Sequence, residues 1–502
     1  MELIAASGSR AGCRDGRRER VRSAGLRSCV VVLVVALAWT IGCASSGARK
    51  QAGASPKRTV LLTSTDDVRV GAEAAKQVAV EVGLLDDPLL GAYVAGIGRK
   101  LLGGLPRRDF AYHFAIVDDM EPNAFALPGG FIYVSRGLLA LVNDEDELAC
   151  VLGHEIVHVA FRHAAQQQEV ARQQRPLSLP ISRASTLASY ERDMEREADA
   201  VGQRLCGAAG YDPMAMATFM RRLDQRERLL IGTPRNPTFL DTHPGARERA
   251  AVDSARAGEL RWTRDPSLGD VRARYLDRID GLVIGDRPET GVFDGEWFFH
   301  PGLDFQMRFP KGWLLQNSSR AVGAVAPRHE AAVFLAGDLP PGDLVAVADA
   351  FAAKAKAEQG VELTAKTHVR LGEIEAVRYG FRGGKGPYAI AAEVTFFPFA
   401  GATWRMVAVA PLTAAERYFA TIQVSTRSFG PLSPENRARI ETRRLRVAVT
   451  RPGEDVVSLG ERTGCVLSPS GRALLNGLLG NEVFAGGERM KIVRREGAGS
   501  SR

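Results

Sequence analysis

The sequence predicts a multidomain protein, in which a mainly helical (α+β) domain is followed by an antiparallel α+β domain and a small carboxyl-terminal module. Three observations predict this class. The 502 residues are 45% hydrophobic, which is enough to form more than one buried core. Residues 58–255 repeat apolar residues at the three- and four-residue steps of helices, whereas residues 291–435 alternate strand-like runs with turns. Residues 440–495 then run strand, helix, helix, strand.

The chain begins with a segment that has the composition of a signal peptide. Residues 1–42 are rich in Arg and end in the apolar run VVVLVVALAWTIG, which is short for a bilayer span and stops directly before Cys43. The tetrapeptide TIGC resembles the bacterial lipobox, which implies that Cys43 is lipidated and that residues 43–57 form a flexible tether on a membrane surface. Ala44 would fit sorting to the outer membrane. A plain cleaved signal or a retained anchor is the alternative.

The formal net charge of +8 does not predict a nucleic-acid partner. Half of this excess lies in residues 1–42, where seven Arg accompany three acidic residues. The rest of the chain is only mildly basic, so no obligatory anionic partner is expected.

The first domain, residues 58–255, is expected to place a small sheet before a histidine-rich helix. Two β-rich runs, Tyr112–Val117 and Phe131–Val134, flank a turn at Pro128-Gly129-Gly130 and predict a hairpin-like pair of strands. The Gln-rich, Pro-broken residues 166–185 predict a loop or lid, and helix is expected to resume near Leu187. Residues 256–290 are charged and predict a connector to the next domain.

The stretch ELACVLGHEIVHVAFRH carries the chemistry that the sequence predicts most specifically. His154 and His158 are four residues apart, so a helix would direct both imidazoles toward one metal ion. Glu155 lies beside them and would take a proton from water. A His-Glu-x-x-His motif thus provides two metal ligands and a base. His163 is five residues after His158 and so is rotated off this face, which indicates a structural role for it.

A catalytic zinc needs a third protein ligand, and the acidic run SYERDMEREADAVG supplies several candidates. The helical spacing alone leaves the choice open among Glu191, Asp193, Glu195, Glu197 and Asp199. A solvated charged helix is the alternative interpretation. The apolar Ala198 and Val201 favour a helix with one buried side.

These motifs resemble the zinc metallopeptidases that include HtpX and the CAAX prenyl proteases, and among them the periplasmic lipoprotein type. The resemblance runs from about Gly71 to Arg249, through NAFALPGGFIYVSRGLL, HEIVH and, 37 residues after its second His, EREAD. It implies a gluzincin-like fold with one Zn²⁺ per chain. It also implies Glu195 as the third ligand and Asp199 as the residue that orients a ligand histidine.

Two further residues gain a role from the same resemblance. His243, in DTHPGARER, matches a Thr-His-Pro segment that can approach the metal as an inhibitory fourth ligand; a structural histidine in a Pro-bounded turn is the alternative. Asn123, in NAFALPGG, is a candidate substrate contact or a structural support. The strand Phe131–Val134 is expected to be an edge on which an extended peptide could pair.

The carboxyl-terminal residues 440–495 resemble a LysM module. RPGEDVVSLGER stands at the turn that opens the first helix, and LLNGL and FAGGERMKIV match the second half. The resemblance implies binding to glycans such as peptidoglycan, and a degenerate module that only packs against its neighbours is the alternative. Residues 291–435 show no metal or nucleophile motif, so a binding or scaffolding role is expected there.

Together these features predict a membrane-tethered zinc endopeptidase of the cell envelope. It would hydrolyse misfolded or misassembled envelope proteins at the periplasmic face of the bacterial outer membrane. The alternative is an envelope chaperone or binding protein whose zinc site is latent or vestigial. An intact Glu155 beside a complete ligand set favours the enzyme.

Overall fold

Two compact units make up the part of the chain that the structure describes. The structure is a computed structural model that describes residues 63–167, 180–229, 238–239, 243, 245–318 and 321–497. The first unit comprises residues 63–285 together with 443–497, and the second comprises residues 286–442. The predicted signal peptide, the tether, Cys43 and most of the predicted lid lie outside the described residues. Within the described residues, no helix is both long and apolar enough to cross a bilayer.

The first unit is mainly helical up to residue 285. Its helices are α1 (Ser64–Glu81), α2 (Pro88–Leu102), α3 (Arg136–Leu141), α4 (Glu145–Ala160), α5 (Pro180–Ala208), α6 (Ala215–Leu229), α7 (Ala246–Glu259) and α8 (Val271–Ile279). Helix α5 begins earlier than the expected Leu187, so part of the predicted lid is helical. The segment expected to be a connector contains α8, whose Tyr275 and Leu276 are buried in the core of this unit.

The small sheet of this unit differs from the predicted hairpin. Its strands are β1 (His113–Val117), β2 (Ala124–Leu127) and β3 (Phe131–Ser135), in the spatial order β1-β3-β2. Strand β3 pairs in parallel with β1 and antiparallel with β2, so the hairpin is formed by β2 and β3. The prediction that Phe131–Val134 is an edge strand is therefore wrong, because the backbone of β3 is hydrogen-bonded on both sides.

Helix α4 lies at the centre of the unit, and its sequence explains where it starts. The side chain of Asp144 caps the helix by accepting a hydrogen bond from the backbone nitrogen of Glu147. Glu147 in turn forms a two-pronged ion pair with Arg222 of α6, at 2.6 and 2.7 Å. Apolar residues on several sides of α4 belong to one large core, among them Leu148, Val151 and Leu152. The helix is therefore held rigidly at its amino-terminal end and along its length.

The carboxyl-terminal segment completes the first unit. It contains, in order, β15 (Glu441–Val449), α12 (Val456–Thr463), α13 (Pro469–Asn476) and β16 (Arg489–Gly497). The amine of Lys491 is fully buried and donates hydrogen bonds to the carbonyls of Ala140, Leu141 and Val142, at 2.7 to 3.1 Å. These carbonyls end helix α3, directly before α4. The segment is thus anchored to the base of the histidine helix, while its resemblance to LysM stays a prediction.

The second unit is an antiparallel α+β structure, in line with the sequence. A seven-stranded sheet in the order β10-β11-β12-β13-β9-β8-β7 and a four-stranded sheet in the order β14-β6-β5-β4 form its framework. The strands of the large sheet are β7 (Leu314–Asn317), β8 (Val322–Val325), β9 (Ala332–Leu339), β10 (Glu362–Leu371), β11 (Ile374–Gly383), β12 (Ile390–Phe399) and β13 (Ala402–Pro411). The small sheet has β4 (Val292–Asp294), β5 (Trp297–His300), β6 (Phe305–Arg308) and β14 (Gly430–Pro431), and the helices are α9 (Leu344–Gln359), α10 (Ala415–Thr426) and α11 (Pro434–Ala438).

Candidate metal centre

Helix α4 holds two imidazoles side by side. The four-residue spacing of His154 and His158 places them one turn apart on the same face. Their Nε2 atoms lie 2.9 Å from each other. His154 is completely buried, whereas the side chain of His158 is 15% exposed. The pair therefore opens toward solvent on the His158 side.

Helix α5 brings a carboxylate to the same point. The Glu195 oxygens lie 3.4 Å from the Nε2 atoms of both His154 and His158. The carboxylate is buried, so bulk water does not solvate its charge. Of the five acidic residues that the helical spacing left open, Glu195 is the one that joins the two histidines in a common cluster.

Two glycines allow α4 and α5 to approach closely enough for this contact. A Cβ atom on Gly202 of α5 would lie 2.9 Å from the backbone nitrogen of His154. A Cβ atom on Gly153 of α4 would lie 3.1 Å from the carbonyl oxygen of Gly202. Substitution at either position would push the ligand helices apart. Both glycines lie in the sequence motifs of the two helices, Gly153 directly before His154, and they are the sequence signal for this close packing.

His243 approaches the cluster from outside these two helices. Its Nδ1 lies 2.9 Å from a Glu195 oxygen and 3.3 Å from Nε2 of His154, and its Nε2 lies 3.4 Å from a Glu155 oxygen. The imidazole stacks on the buried ring of Phe239, with centroids 4.3 Å apart and planes inclined by 27°. His243 is thus held over the place where the other three side chains converge.

These four side chains could hold one metal ion. The ligand atoms of His154, His158, Glu195 and His243 all lie within 4.8 Å of one another. Two imidazoles and a carboxylate form a ligand set of catalytic zinc, which keeps a further position for water or substrate. The donor types and their convergence therefore fit Zn²⁺, with His243 directed at the position that would otherwise be open.

The protons in this cluster are distributed unevenly. Burial would lower the pKa of His154, but its hydrogen bonds to Asp199 and Glu195 raise it to about 10. Burial, together with the neighbouring His154, holds the pKa of His158 well below its ordinary value. Burial would raise the pKa of Glu195, yet His243 and His154 hold it far below its usual range. A divalent cation would displace the proton from His154, because ligand imidazoles bind as neutral groups.

Glu155 stands beside the cluster and is not part of it. Its side chain is 1% exposed, and its Oε1 lies 3.4 Å from Nε2 of His243 without forming a hydrogen bond among the described residues. Burial raises the pKa of this carboxyl above its ordinary value. A buried carboxylate beside a metal site whose pKa is raised in this way suits a general base.

A second ring of side chains holds the candidate ligands in place. Asp199 accepts from Nδ1 of His154 at 2.9 Å. Arg249 of α7 forms two hydrogen bonds with Asp199, and Nδ1 of His163 lies 3.0 Å from Nδ1 of His158. Arg249 lies in the THPGARER segment, yet no sequence pattern predicts its role, and His163 is predicted to be structural.

Asn123 is not a member of the cluster of candidate ligands. Its backbone nitrogen donates to the hydroxyl of Ser135 at 2.9 Å, which fixes the start of β2. Within the described part of the chain, its side-chain oxygen is buried without a hydrogen-bond partner. A contact between Asn123 and substrate stays a prediction.

Comparisons with known proteins point to one family. The family model described as Peptidase family M48 matches residues 92–181 and 176–256, which include every candidate ligand. The Beta-barrel assembly-enhancing protease of Escherichia coli (strain K12) is 30% identical over 224 residues, covering 40% of this chain and 45% of that protein. The Mitochondrial metalloendopeptidase OMA1 of Schizosaccharomyces pombe is 30% identical over 201 residues, covering 36% of this chain and 58% of that protein.

The chain spans about half the length of those relatives. The predicted resemblance to the metallopeptidases that include HtpX is confirmed at the level of the family. The model of peptidase family M48 thus matches the part of the chain, residues 92–256, that carries the cluster of histidines and glutamate.

Proposed function

We propose that this protein is a zinc-dependent endopeptidase that hydrolyses peptide bonds in misfolded or misassembled proteins of the cell envelope. The observation that carries the proposal is the convergence of His154, His158 and Glu195 within 4.8 Å, beside the buried carboxylate of Glu155. A zinc ion bound there supplies Lewis-acid activation of water and of the scissile carbonyl.

Side chains of the protein transfer the proton and hold the ligands in place. Glu155 accepts a proton from the attacking water and passes it to the leaving amine, which its burial beside the cluster and its raised pKa favour. Asp199 holds the Nδ1 proton of His154, so Nε2 of that ring faces the site. The low pKa of His158 keeps its imidazole neutral and available as a ligand.

His243 gives the site a latent form. Its ring contacts Glu195 and Glu155 and occupies the approach to the candidate ligands. We infer that it acts as a fourth ligand that an incoming substrate must displace. The stacking of its ring on Phe239 supports this role, because it fixes the histidine in the blocking position.

An extended substrate would pair with β2. This strand lies at an end of the sheet order, and Phe125, Ala126 and Leu127 are half-buried. Edge strands offer unpaired backbone groups to a peptide. The start of β2 directly after Asn123 would place that residue beside the bound chain.

The proposed location is the periplasmic face of the outer membrane. Support comes from the sequence of the leader, residues 1–42, from the lipidation motif at Cys43, and from the name of the Escherichia coli relative, which refers to β-barrel assembly. The LysM-like residues 440–495 would add an attachment to peptidoglycan. Residues 291–435 are assigned a binding or scaffolding role for envelope partners.

Casein hydrolysis by the purified chain tests the proposal. We expect one zinc per chain, loss of hydrolysis after treatment with a chelator, and recovery on addition of Zn²⁺. A zinc-loaded wild type that hydrolyses neither casein nor unfolded envelope proteins would overturn the enzyme and favour the chaperone. A peptidoglycan pull-down with and without residues 440–495 tests the glycan attachment separately.

A further inference from the structure

Arg249 contacts three residues of the candidate metal centre. It is 5% exposed and extends from α7 into the space between α5 and the segment that carries His243. Its guanidinium contacts Asp199, Glu195 and the carbonyl oxygen of His243. We propose that Arg249 is a positioning residue that sets how Glu195 and His154 face the metal. The inference rests on the zinc site proposed above.

The contact with Asp199 fixes the orientation of His154. Nε of Arg249 donates to Oδ2 of Asp199 and Nη2 donates to Oδ1, both at 2.7 Å. Such a fork holds a carboxylate in one plane. Because Oδ1 also accepts from Nδ1 of His154, the plane of the carboxylate sets the direction in which Nε2 of that imidazole points.

The contact with Glu195 sets which carboxylate oxygen is available to the metal. Nη1 of Arg249 lies 2.8 Å from Oε2 of Glu195. Oε1 lies 3.4 Å from Nε2 of His158 and 3.0 Å from Nδ1 of His243, whereas Oε2 is the oxygen that the guanidinium contacts. The same nitrogen donates to the carbonyl of His243 at 3.1 Å, so the blocking histidine and the carboxylate share one anchor.

Arg249 also contributes to the charge balance of the site. Glu155, Glu195 and Asp199 place three carboxylates in a buried site. One divalent cation and one guanidinium together neutralise them, whereas the cation alone would leave one negative charge uncompensated in a medium of low dielectric. A Lys could supply the charge but not the two-pronged geometry, since its ammonium is a point donor.

Cobalt substitution tests the proposal, because the visible absorption of Co²⁺ reports the geometry of its ligands. We expect Arg249→Lys to shift the cobalt bands and to weaken Zn²⁺ binding about 10- to 100-fold, measured against a chromophoric chelator. Arg222→Lys is the matched control. Arg222 is also 5% exposed and forms the same fork with Glu147, away from the metal cluster.

The control variant should lower the melting temperature and leave the cobalt spectrum and the zinc affinity as in the wild type. An Arg249→Lys protein with wild-type spectrum and affinity would overturn the inference, and so would equal changes in both variants. A wild type that binds neither metal would overturn the proposed zinc site itself. If Arg249→Lys does not fold, Asp199→Asn keeps the side-chain shape and breaks the same fork; a wild-type cobalt spectrum there also overturns the inference.

Discussion

Removal of the blocking imidazole by His243→Ala should raise the rate of peptide hydrolysis. The side chain of His243 forms a hydrogen bond of 2.9 Å with the ionised Glu195 and stacks on Phe239 at 4.3 Å. Displacement of the ring by substrate must break this hydrogen bond, whose charged partner makes it worth about 1.5–3 kcal/mol. If the closed form predominates, loss of the ring should increase kcat/KM about tenfold to hundredfold, since about 1.4 kcal/mol corresponds to a factor of ten.

The assay is cleavage of a fluorogenic peptide by zinc-loaded protein, with the zinc content of each sample measured in parallel. The control is His368→Ala, because His368 is exposed on β10 and should leave kcat/KM unchanged. A His243→Ala protein that retains one zinc but is no faster than the wild type would refute the blocking role. A slower variant that retains zinc would assign His243 to catalysis or substrate binding instead.

Two further predictions concern the frame around the site. Lys491→Met removes the amine that donates to the buried carbonyls of Ala140, Leu141 and Val142, of which that of Leu141 keeps a hydrogen bond from Arg222. The loss should cost about 2–4 kcal/mol and lower the melting temperature by about 5–10 °C, whereas Lys76→Met on the exposed face of α1 should have no effect. Equal melting temperatures for all three proteins would contradict the anchoring role. Burial and the neighbouring Asp199 raise the pKa of Asp253 from 3.8 to about 7, so between pH 4 and pH 7 the folded state holds a proton that the unfolded state has lost. Stability of the wild type should therefore fall relative to Asp253→Asn as the pH rises through this window, by at most about 4 kcal/mol in urea unfolding, and a pH-independent difference would show that Asp253 is ionised throughout.

The parts of the site that lie on one helix could be predicted from the sequence. His154, Glu155 and His158 follow from a four-residue spacing within a strongly helical pattern, and Asp144 marks the start of that helix. The third ligand could not be chosen in this way. Five acidic residues on α5 have suitable spacing, and the packing of α5 on α4 through Gly153 and Gly202 decides among them.

Contacts between distant segments account for the remaining differences. The runs that formed the expected hairpin, Tyr112–Val117 and Phe131–Val134, instead pair in parallel, because the intervening β2 takes the antiparallel position beside β3. The residues of the local turn do not indicate which strand pairs with β3 on each side. The burial of Lys491 was equally hidden, since lysine is almost never fully buried and its partners are about 350 residues earlier in the chain.

The central claim is that a metal held by His154, His158 and Glu195 works with Glu155 as the base. The most direct measurement is zinc content together with casein hydrolysis for wild type and Glu155→Gln. The account predicts one zinc per chain in both proteins, and a loss of activity of at least about a hundredfold in the variant, since general acid–base catalysis contributes about 10²–10⁴-fold. A Glu155→Gln protein that hydrolyses casein at the wild-type rate, with zinc bound, would contradict it.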